Sequence, residues 1–515
     1  MTLFERPVQH VFNARVGEVL PEPTPLERAV ELSERLGHSI WLKREDLTPV
    51  FSFKLRGAYN AIANMPQEQR ARGILAASAG NHAQGVAFAG RRLGCPTRIV
   101  MPQTTPSIKV SAVKRLGAQV DLHGDSFSDA AELALELERA TGMTLIHPFD
   151  DPDVIAGQGT VGLEVLRQAP RDLSAIFVPI GGGGLAAGVA AVVKELRPEV
   201  RVIGVEPEDS DAMCRAFAAG RPVTLPAVGI FADGVAVRRV GDLTYALCKR
   251  YLDDITRVTT DEICGAIEDG FLDTRSILEP AGALSLAGAK RYHRAVGLPP
   301  GQVVVVASGA NMSFTRLGYV AERAELGRQR EALLAVTIPE RPGAFLEFCL
   351  ALGRRSVTEF NYRLTGRDKA RVFVGVEVSV EAEGRQIIQD LTRAGFECAD
   401  LSSDDLAKTH IRHMVGGVSA LARDEVLYCF EFPERPGALA EFLESLGNRW
   451  NISLFHYRNH GAAFGRVLCG MEVTPAERPL LEARLARLGF AYSTVVPSPA
   501  TTFIGYAEGG TPSRE

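Results

Sequence analysis

The stretch Ser52-Phe53-Lys54-Leu55-Arg56-Gly57 sets one lysine among apolar neighbours, and the rest of the chain is read from it. Downstream stand a polar loop, Ser78-Ala79-Gly80-Asn81-His82, and four consecutive glycines, Gly181 to Gly184. Only a free amine attacks an aldehyde, so a Schiff-base lysine must be shielded enough to lose its proton. Phosphate is held best by backbone N–H groups at a helix N-terminus, where glycines let the backbone close in. A shielded lysine, a polar loop and a phosphate cup, in this order, are what an enzyme needs to hold pyridoxal 5'-phosphate.

Around these motifs, short β-branched runs alternate with helical patterns from residue 40 to about 310. Ile74-Leu75-Ala76-Ala77 leads into a helix from Asn81 to Leu93 that Gly94 ends, and Thr97 to Met101 reads as the next strand. A helix from Ile108 to Leu116, a strand at Val120-Asp121-Leu122 and a helix from Phe127 to Ala140 repeat the pattern. Ala175 to Ile180, Val202 to Val205 and Val303 to Ala307 are continuous apolar runs of strand length. Such runs, buried on both faces and separated by helices, predict parallel sheets in a two-lobed, three-layer α/β core.

Composition narrows the class. A chain of 515 residues makes about three to four domains at ~150 residues each. Its net charge of −5 gives no basic field for nucleic acid, and no run is long and apolar enough to span a bilayer. The start Met-Thr-Leu-Phe-Glu-Arg-Pro lacks a basic segment followed by an apolar one. The eight cysteines are scattered singly with no Cys-x-x-Cys pair, which predicts reduced thiols in a cytoplasmic protein and no metal.

After Tyr319 the character changes. Ala321 to Arg330 reads as a polar helical connector, and beyond it lies an internal repeat. Pro339-Glu340-Arg341-Pro342-Gly343-Ala344 recurs as Pro433-Glu434-Arg435-Pro436-Gly437-Ala438, with Gly343 and Gly437 94 residues apart. Gly395 and Gly489 keep the same period, and Phe360-Asn361-Tyr362-Arg363 is matched by Phe455-His456-Tyr457-Arg458. Each copy runs strand, turn, helix, strand, strand, helix, strand, the split-βαβ arrangement folded twice. The expected limits are 1–320 for the catalytic part with a smaller lobe over about 40–150, 321–331 for the connector, 332–405 and 426–497 for the two modules, and a loose tail at 498–515.

Lys54 is the candidate for covalent attachment of the cofactor and for proton abstraction from the substrate α-carbon, both of which need a lowered ammonium pKa. Gly181-Gly182-Gly183-Gly184-Leu185 opens the helix Ala186 to Leu196 and is the candidate phosphate site. Gly181-x-Gly183-x-x-Ala186 also fits a dinucleotide fingerprint, with Glu206 where a ribose-binding acid belongs. Lys54 together with Asn81 favours the first reading, because a nicotinamide enzyme requires neither. The N–H groups of Ser78, Ala79, Gly80 and Asn81 are candidates for a substrate carboxylate, and the Asn81 amide for the cofactor's ring hydroxyl. Alone, Asn81 would read as a helix N-cap. His82 reads as a packed histidine outside the catalytic set. Ser308, at the carboxyl end of a parallel strand, is placed to meet a ligand.

With Lys43-Arg44-Glu45-Asp46-Leu47 before it, Ser52-Phe53-Lys54-Leu55-Arg56-Gly57-Ala58 resembles the lysine motif of serine/threonine dehydratases, fold-type II pyridoxal-phosphate enzymes. Ser78 to His82, the tetraglycine loop and Ser308-Gly309-Ala310-Asn311 match the family in order. The doubled C-terminal module is similar to paired ACT-like, ferredoxin-like α+β regulatory modules, so the likeness to the biosynthetic threonine ammonia-lyases covers nearly the whole chain. The resemblance implies conversion of L-threonine, and also L-serine, to a keto acid and ammonia. From threonine this gives 2-oxobutanoate, the first step towards isoleucine.

By motif, the resemblance makes Lys54 the Schiff-base lysine, Asn81 the ring-hydroxyl partner, Gly181 to Leu185 the phosphate holders and Ser308 the partner of the pyridine nitrogen. It further implies inhibition by isoleucine, relief by valine and a homotetramer, with Tyr362 and Tyr457 as candidate effector contacts. Serine racemases of this fold bind a divalent ion through a Glu and an Asp six residues later. Here Glu206 is followed at that spacing by Ala212, and no metal is expected. A serine dehydratase or racemase, or a catalytically silent amino-acid sensor, are the other readings the motifs leave open.

Overall fold

The computed structural model describes residues 7–495 apart from 106, 125–126, 230, 328–329, 354, 365, 367, 405–406, 408–418, 420, 434–437, 448, 459–463 and 489. The Pro436-Gly437 turn of the second repeat and the tail at 498–515 lie outside the described residues. The chain divides into two compact units, Met1–Gly327 and Arg328–Glu515.

Among the described residues, the first unit holds a six-stranded and a four-stranded sheet. The larger runs in the order Leu26–Arg28, Ser39–Arg44, Gln302–Ala307, Leu173–Pro179, Arg201–Pro207, Asp254–Val258. All neighbours pair in parallel except Leu26–Arg28, a short antiparallel edge strand the sequence reading did not anticipate. Period-2 alternation splits the central strands between two apolar layers. Ile176, Val178, Val304 and Val306 pack with the helix Gly184–Leu196, while Ala175, Phe177, Val303 and Val305 pack with Thr260–Thr274 and Pro280–Val296. Both faces are therefore dry, which is why these strands read as unbroken apolar runs.

The smaller sheet is wholly parallel, in the order Gln119–Leu122, Thr97–Met101, Ile74–Ala77, Thr144–Leu145. The helix Lys54–Asn64 is wedged between Asn81–Leu93 and Pro152–Gln168 at glycine crossings. A Cβ on Gly85 would lie 3.1 Å from the Lys54 carbonyl carbon, and one on Gly157 would lie 2.7 Å from Gly57 Cα. These close approaches fix the start of the helix that carries Lys54.

Buried charges also hold that helix. Arg56 donates to both oxygens of Glu45 (2.7 and 2.8 Å) and both of Glu164 (2.6 and 2.9 Å). Lys43 joins Glu164 (2.5 Å), the Thr24 carbonyl and Gln168. The cluster ties the strand Ser39–Arg44 and the helix Pro152–Gln168 to the segment bearing Lys54.

Residues 321–327, read from the sequence as the start of a connector, belong to the helix Leu317–Gly327. That helix packs on Thr260–Thr274, with Val320 and Ala324 buried in the first unit's core and Arg323 bonded to Asp261.

The second unit is, among the described residues, one eight-stranded antiparallel sheet. Its order is Glu397–Asp400, Glu331–Pro339, Lys369–Glu377, Val357–Arg363, Asn451–Arg458, Phe464–Glu472, Glu425–Pro433, Ala491–Thr494. Each repeat supplies four adjacent strands, and the halves join where Val357–Arg363 pairs with Asn451–Arg458. The helices Ala344–Leu352 and Ala438–Leu446 contact each other and share one apolar core with the sheet.

Candidate active site

At the carboxyl ends of the large sheet's strands, a cavity of about 440 Å³ is lined by Phe53, Lys54, Asn81, the loop Gly181–Leu185, Glu279 and Ser308. This is where ligands bind in open parallel sheets. Lys54 begins its helix, and its Nζ donates to the Pro148 carbonyl at 2.8 Å. Burial lowers its pKa from the usual 10.5 to about 8, since the charged form loses its hydration. A substantial share of the amine is therefore neutral near physiological pH.

The glycine loop connects the strand Leu173–Pro179 to the helix Gly184–Leu196. Gly183 adopts φ +98°, a left-handed conformation that disfavours side chains, and a Cβ on Gly182 would meet the Phe149 ring at 2.2 Å. Asp150 accepts from the N–H groups of Asp242 and Thr244, and the Thr244 hydroxyl donates to the Gly182 carbonyl at 2.6 Å. The loop's shape is thus imposed by a partner 62 residues away as well as by its own glycines.

Asn81 is the first residue of its helix, with Gly80 at the N-cap, so its amide does not cap. It instead donates to Glu279 and accepts from Asn311. The Ser308 hydroxyl donates to the Ala281 carbonyl at 3.1 Å, and the Ser308 carbonyl accepts from the Phe53 N–H. Ser78, Ala79 and Gly80 are half-buried and do not line the cavity; the Gly80 N–H already donates to the Ser78 hydroxyl at 3.2 Å. His82 is buried against the Ile146 carbonyl and pushed down to about 3, mainly by burial, so it is neutral.

One further reading from the sequence meets the geometry here. Glu206 is fully buried, and its carboxylate accepts from the N–H groups of Met213 and Cys214 at 2.8 Å each. It caps a helix within the fold and is not turned to a ribose, which removes the dinucleotide reading. The sequence reading missed Glu279, a buried carboxyl on the cavity wall pushed up to about 7 by desolvation.

Residues 18–309 match the model of the "Pyridoxal-phosphate dependent enzyme" family, and residues 322–411 and 416–503 match the "C-terminal regulatory domain of Threonine dehydratase". The chain belongs to the pyridoxal-phosphate dependent enzyme family. It is 54% identical over 496 residues to "L-threonine dehydratase biosynthetic IlvA" of Burkholderia multivorans, covering 96% of this chain and 98% of that relative. To the protein of the same description from Escherichia coli it is 53% identical, covering 93% of each. Among solved structures it is similar to the processed form of threonine deaminase isoform 2 from Solanum lycopersicum, with 47% identity and a TM-score of 0.61 over 63% of this chain and 88% of that one. A maize serine racemase follows at 30% identity and a TM-score of 0.57, over 61% of this chain and 96% of that one.

The cavity fits the family's cofactor. A buried amine of lowered pKa, a loop of N–H groups that tolerates no Cβ at Gly182, and neutral polar groups at Asn81 and Ser308 are the donor set an aldehyde-bearing pyridine phosphate needs.

The second unit has its own cavity, about 310 Å³, between its two repeats. Gly343 and Leu346 come from the first repeat, and Leu443, Leu446, Trp450 and Ile452 from the second. The Trp450 side chain is buried, and its indole N–H has no partner among the described residues. Tyr362 and Tyr457 lie in the core beside it rather than on its wall. The Tyr362 hydroxyl donates to Glu340 at 2.6 Å, and Glu340 accepts from Asn451, which does line the cavity.

Proposed function

We propose that this chain is an L-threonine ammonia-lyase, which also accepts L-serine, and that its second unit is a receptor for isoleucine and valine. The observation that carries the catalytic reading is the buried Lys54 amine facing the same cavity as the glycine loop. The nearly full-length likeness to proteins described as threonine dehydratases supports the choice of substrate.

Lys54 would supply the amine that holds the cofactor and the base that takes the proton from the substrate α-carbon. The N–H groups of Gly181 to Leu185 hold the phosphate, and the dipole of the helix Gly184–Leu196 favours its charge. Bound pyridoxal phosphate supplies an electron sink for the pair left on that carbon. The Asn81 amide would serve the ring hydroxyl, and the Ser308 hydroxyl, turned away from the Ala281 carbonyl, would donate to the pyridine nitrogen. Loss of the β-hydroxyl as water then leaves an enamine, whose hydrolysis returns that water and gives 2-oxobutanoate and ammonia. Phe53, Phe149 and Val235 on the cavity wall limit access of other water.

In the second unit, the Trp450 N–H, without a partner among the described residues, fits an effector carboxylate, and Leu346, Leu443, Leu446 and Ile452 fit a branched aliphatic side chain. Isoleucine at this cavity is the inhibitor and valine its antagonist, in a cytoplasmic homotetramer. Keto-acid production from threonine and from serine, with and without isoleucine, tests the whole reading. No keto acid from either substrate overturns it, and borohydride reduction that labels no lysine favours a non-catalytic sensor.

A further inference from the structure

The Asn81 side chain hangs in a chain of hydrogen bonds whose direction is set at one end. The Val50 carbonyl can only accept, so the Asn311 Nδ2 that meets it at 2.8 Å is a donor. The other Nδ2 proton of Asn311 goes to Asn81 Oδ1 at 2.7 Å. Asn81 Nδ2 therefore faces the opposite way, and one of its protons goes to Glu279 Oε1 at 2.5 Å. An amide has two such protons, so a single N–H is left for a ligand in the cavity that both residues line.

Glu279 is built for this contact. It precedes Pro280 at the start of the helix Pro280–Val296, yet its side chain makes no cap bond there. A Cβ on Gly309 would lie 2.5 Å from Glu279 Oε1, so space is kept for the carboxyl. The charged groups around it are Lys54 in the same cavity and Asp233, which pairs with Lys109 at 2.6 Å and Arg316 at 3.3 Å. Among the described residues its one side-chain hydrogen-bond partner is Asn81.

We propose that Glu279 is a positioning residue: its carboxyl oxygen engages one N–H of Asn81 so that the other is kept for the ring oxygen of the cofactor. This rests on the reading that Lys54 and Asn81 hold pyridoxal phosphate. A carboxylate accepts this bond more strongly than a neutral carboxyl does. Burial places the group's titration near 7, so the contact strengthens as pH rises through neutrality.

The test is pyridoxal phosphate affinity of the full-length apoprotein, read by visible absorbance, for wild type, Glu279→Ala and Glu279→Gln, each with and without Asn81→Ala. Glu279→Ala should weaken affinity about 10- to 100-fold. Glu279→Gln, which keeps an acceptor, should recover most of that and abolish the change in the bound cofactor's absorbance that Glu279 ionisation should give wild type near pH 7. Both effects should vanish in the Asn81→Ala background. Wild-type affinity in Glu279→Ala, or the same penalty without Asn81, overturns the proposal. Should the alanine variant fail to fold, a Glu279→Gln spectrum that still titrates near pH 7 overturns it as well. A wild-type protein that takes up no pyridoxal phosphate overturns the cofactor reading itself, and the inference with it.

Discussion

Arg56 and Glu45 face each other with both side chains sealed from solvent, joined by two parallel N–H···O bonds of 2.7 and 2.8 Å. Removing one member of a buried pair strands the other's charge, at about 3–5 kcal/mol. Arg56→Met is therefore expected to lower stability by that order, measured by denaturant unfolding, and to loosen the segment two residues from Lys54. A loss below about 1 kcal/mol would show that Glu45 and Glu164 find other partners.

Cofactor uptake should depend on pH through Lys54. Its pKa is depressed to about 8, so the charged amine predominates below that value and the neutral, attacking form above it. The rate at which apoprotein gains the absorbance of the attached cofactor should rise with pH through about 8 and then level. A plateau reached only above pH 10 would mean the amine is solvated. Lys54→Ala should bind the cofactor without the borohydride-trappable bond and should make no keto acid.

Gly182→Ala is a steric probe of the phosphate cup. Its Cβ would sit 2.2 Å from the Phe149 ring, far inside contact distance. Cofactor affinity should fall at least 10-fold, at about 1.4 kcal/mol per decade, and Phe149→Ala should restore part of it by vacating the space. Equal affinity in Gly182→Ala would place the phosphate elsewhere.

Ser308 offers the pyridine nitrogen a neutral hydroxyl, which cannot hold the ring protonated as a carboxylate would. Ser308→Asp should therefore cut elimination sharply while leaving cofactor binding largely intact, measured as kcat beside the cofactor titration. Unchanged turnover would separate Ser308 from the chemistry.

Regulation should fail in two distinguishable ways. A protein ending after Gly327, the limit of the first compact unit, should turn over threonine and ignore isoleucine. Trp450→Phe keeps the buried ring and removes its N–H, so it should raise the isoleucine concentration for half-inhibition about 10-fold at unchanged basal kcat. Full isoleucine sensitivity in Trp450→Phe would move the effector away from that cavity.

What the sequence discloses follows from distance along the chain. The helix Asn81–Leu93 and the strand Thr97–Met101 fall where they were expected, because Gly94 and an apolar run mark their ends locally. Leu26–Arg28 and Thr144–Leu145 escape notice because three and two residues carry no periodicity. Lys54, Asn81, the glycine loop and Ser308 stand out because each belongs to a patterned segment. Glu279 does not: beside Pro280 it reads as an ordinary helix start, and its partner Asn81 is 198 residues away. Glu206 shows the converse, a spacing that suggests a ligand acid where the fold uses it to cap a helix.

The seam between Val357–Arg363 and Asn451–Arg458 makes each repeat the cover for the other's raw edge. Deleting either half would bare a strand of seven or eight residues whose unpaired amides and carbonyls recruit further chains. Duplication here is thus self-locking. Neither copy can be removed without baring that edge and inviting precipitation.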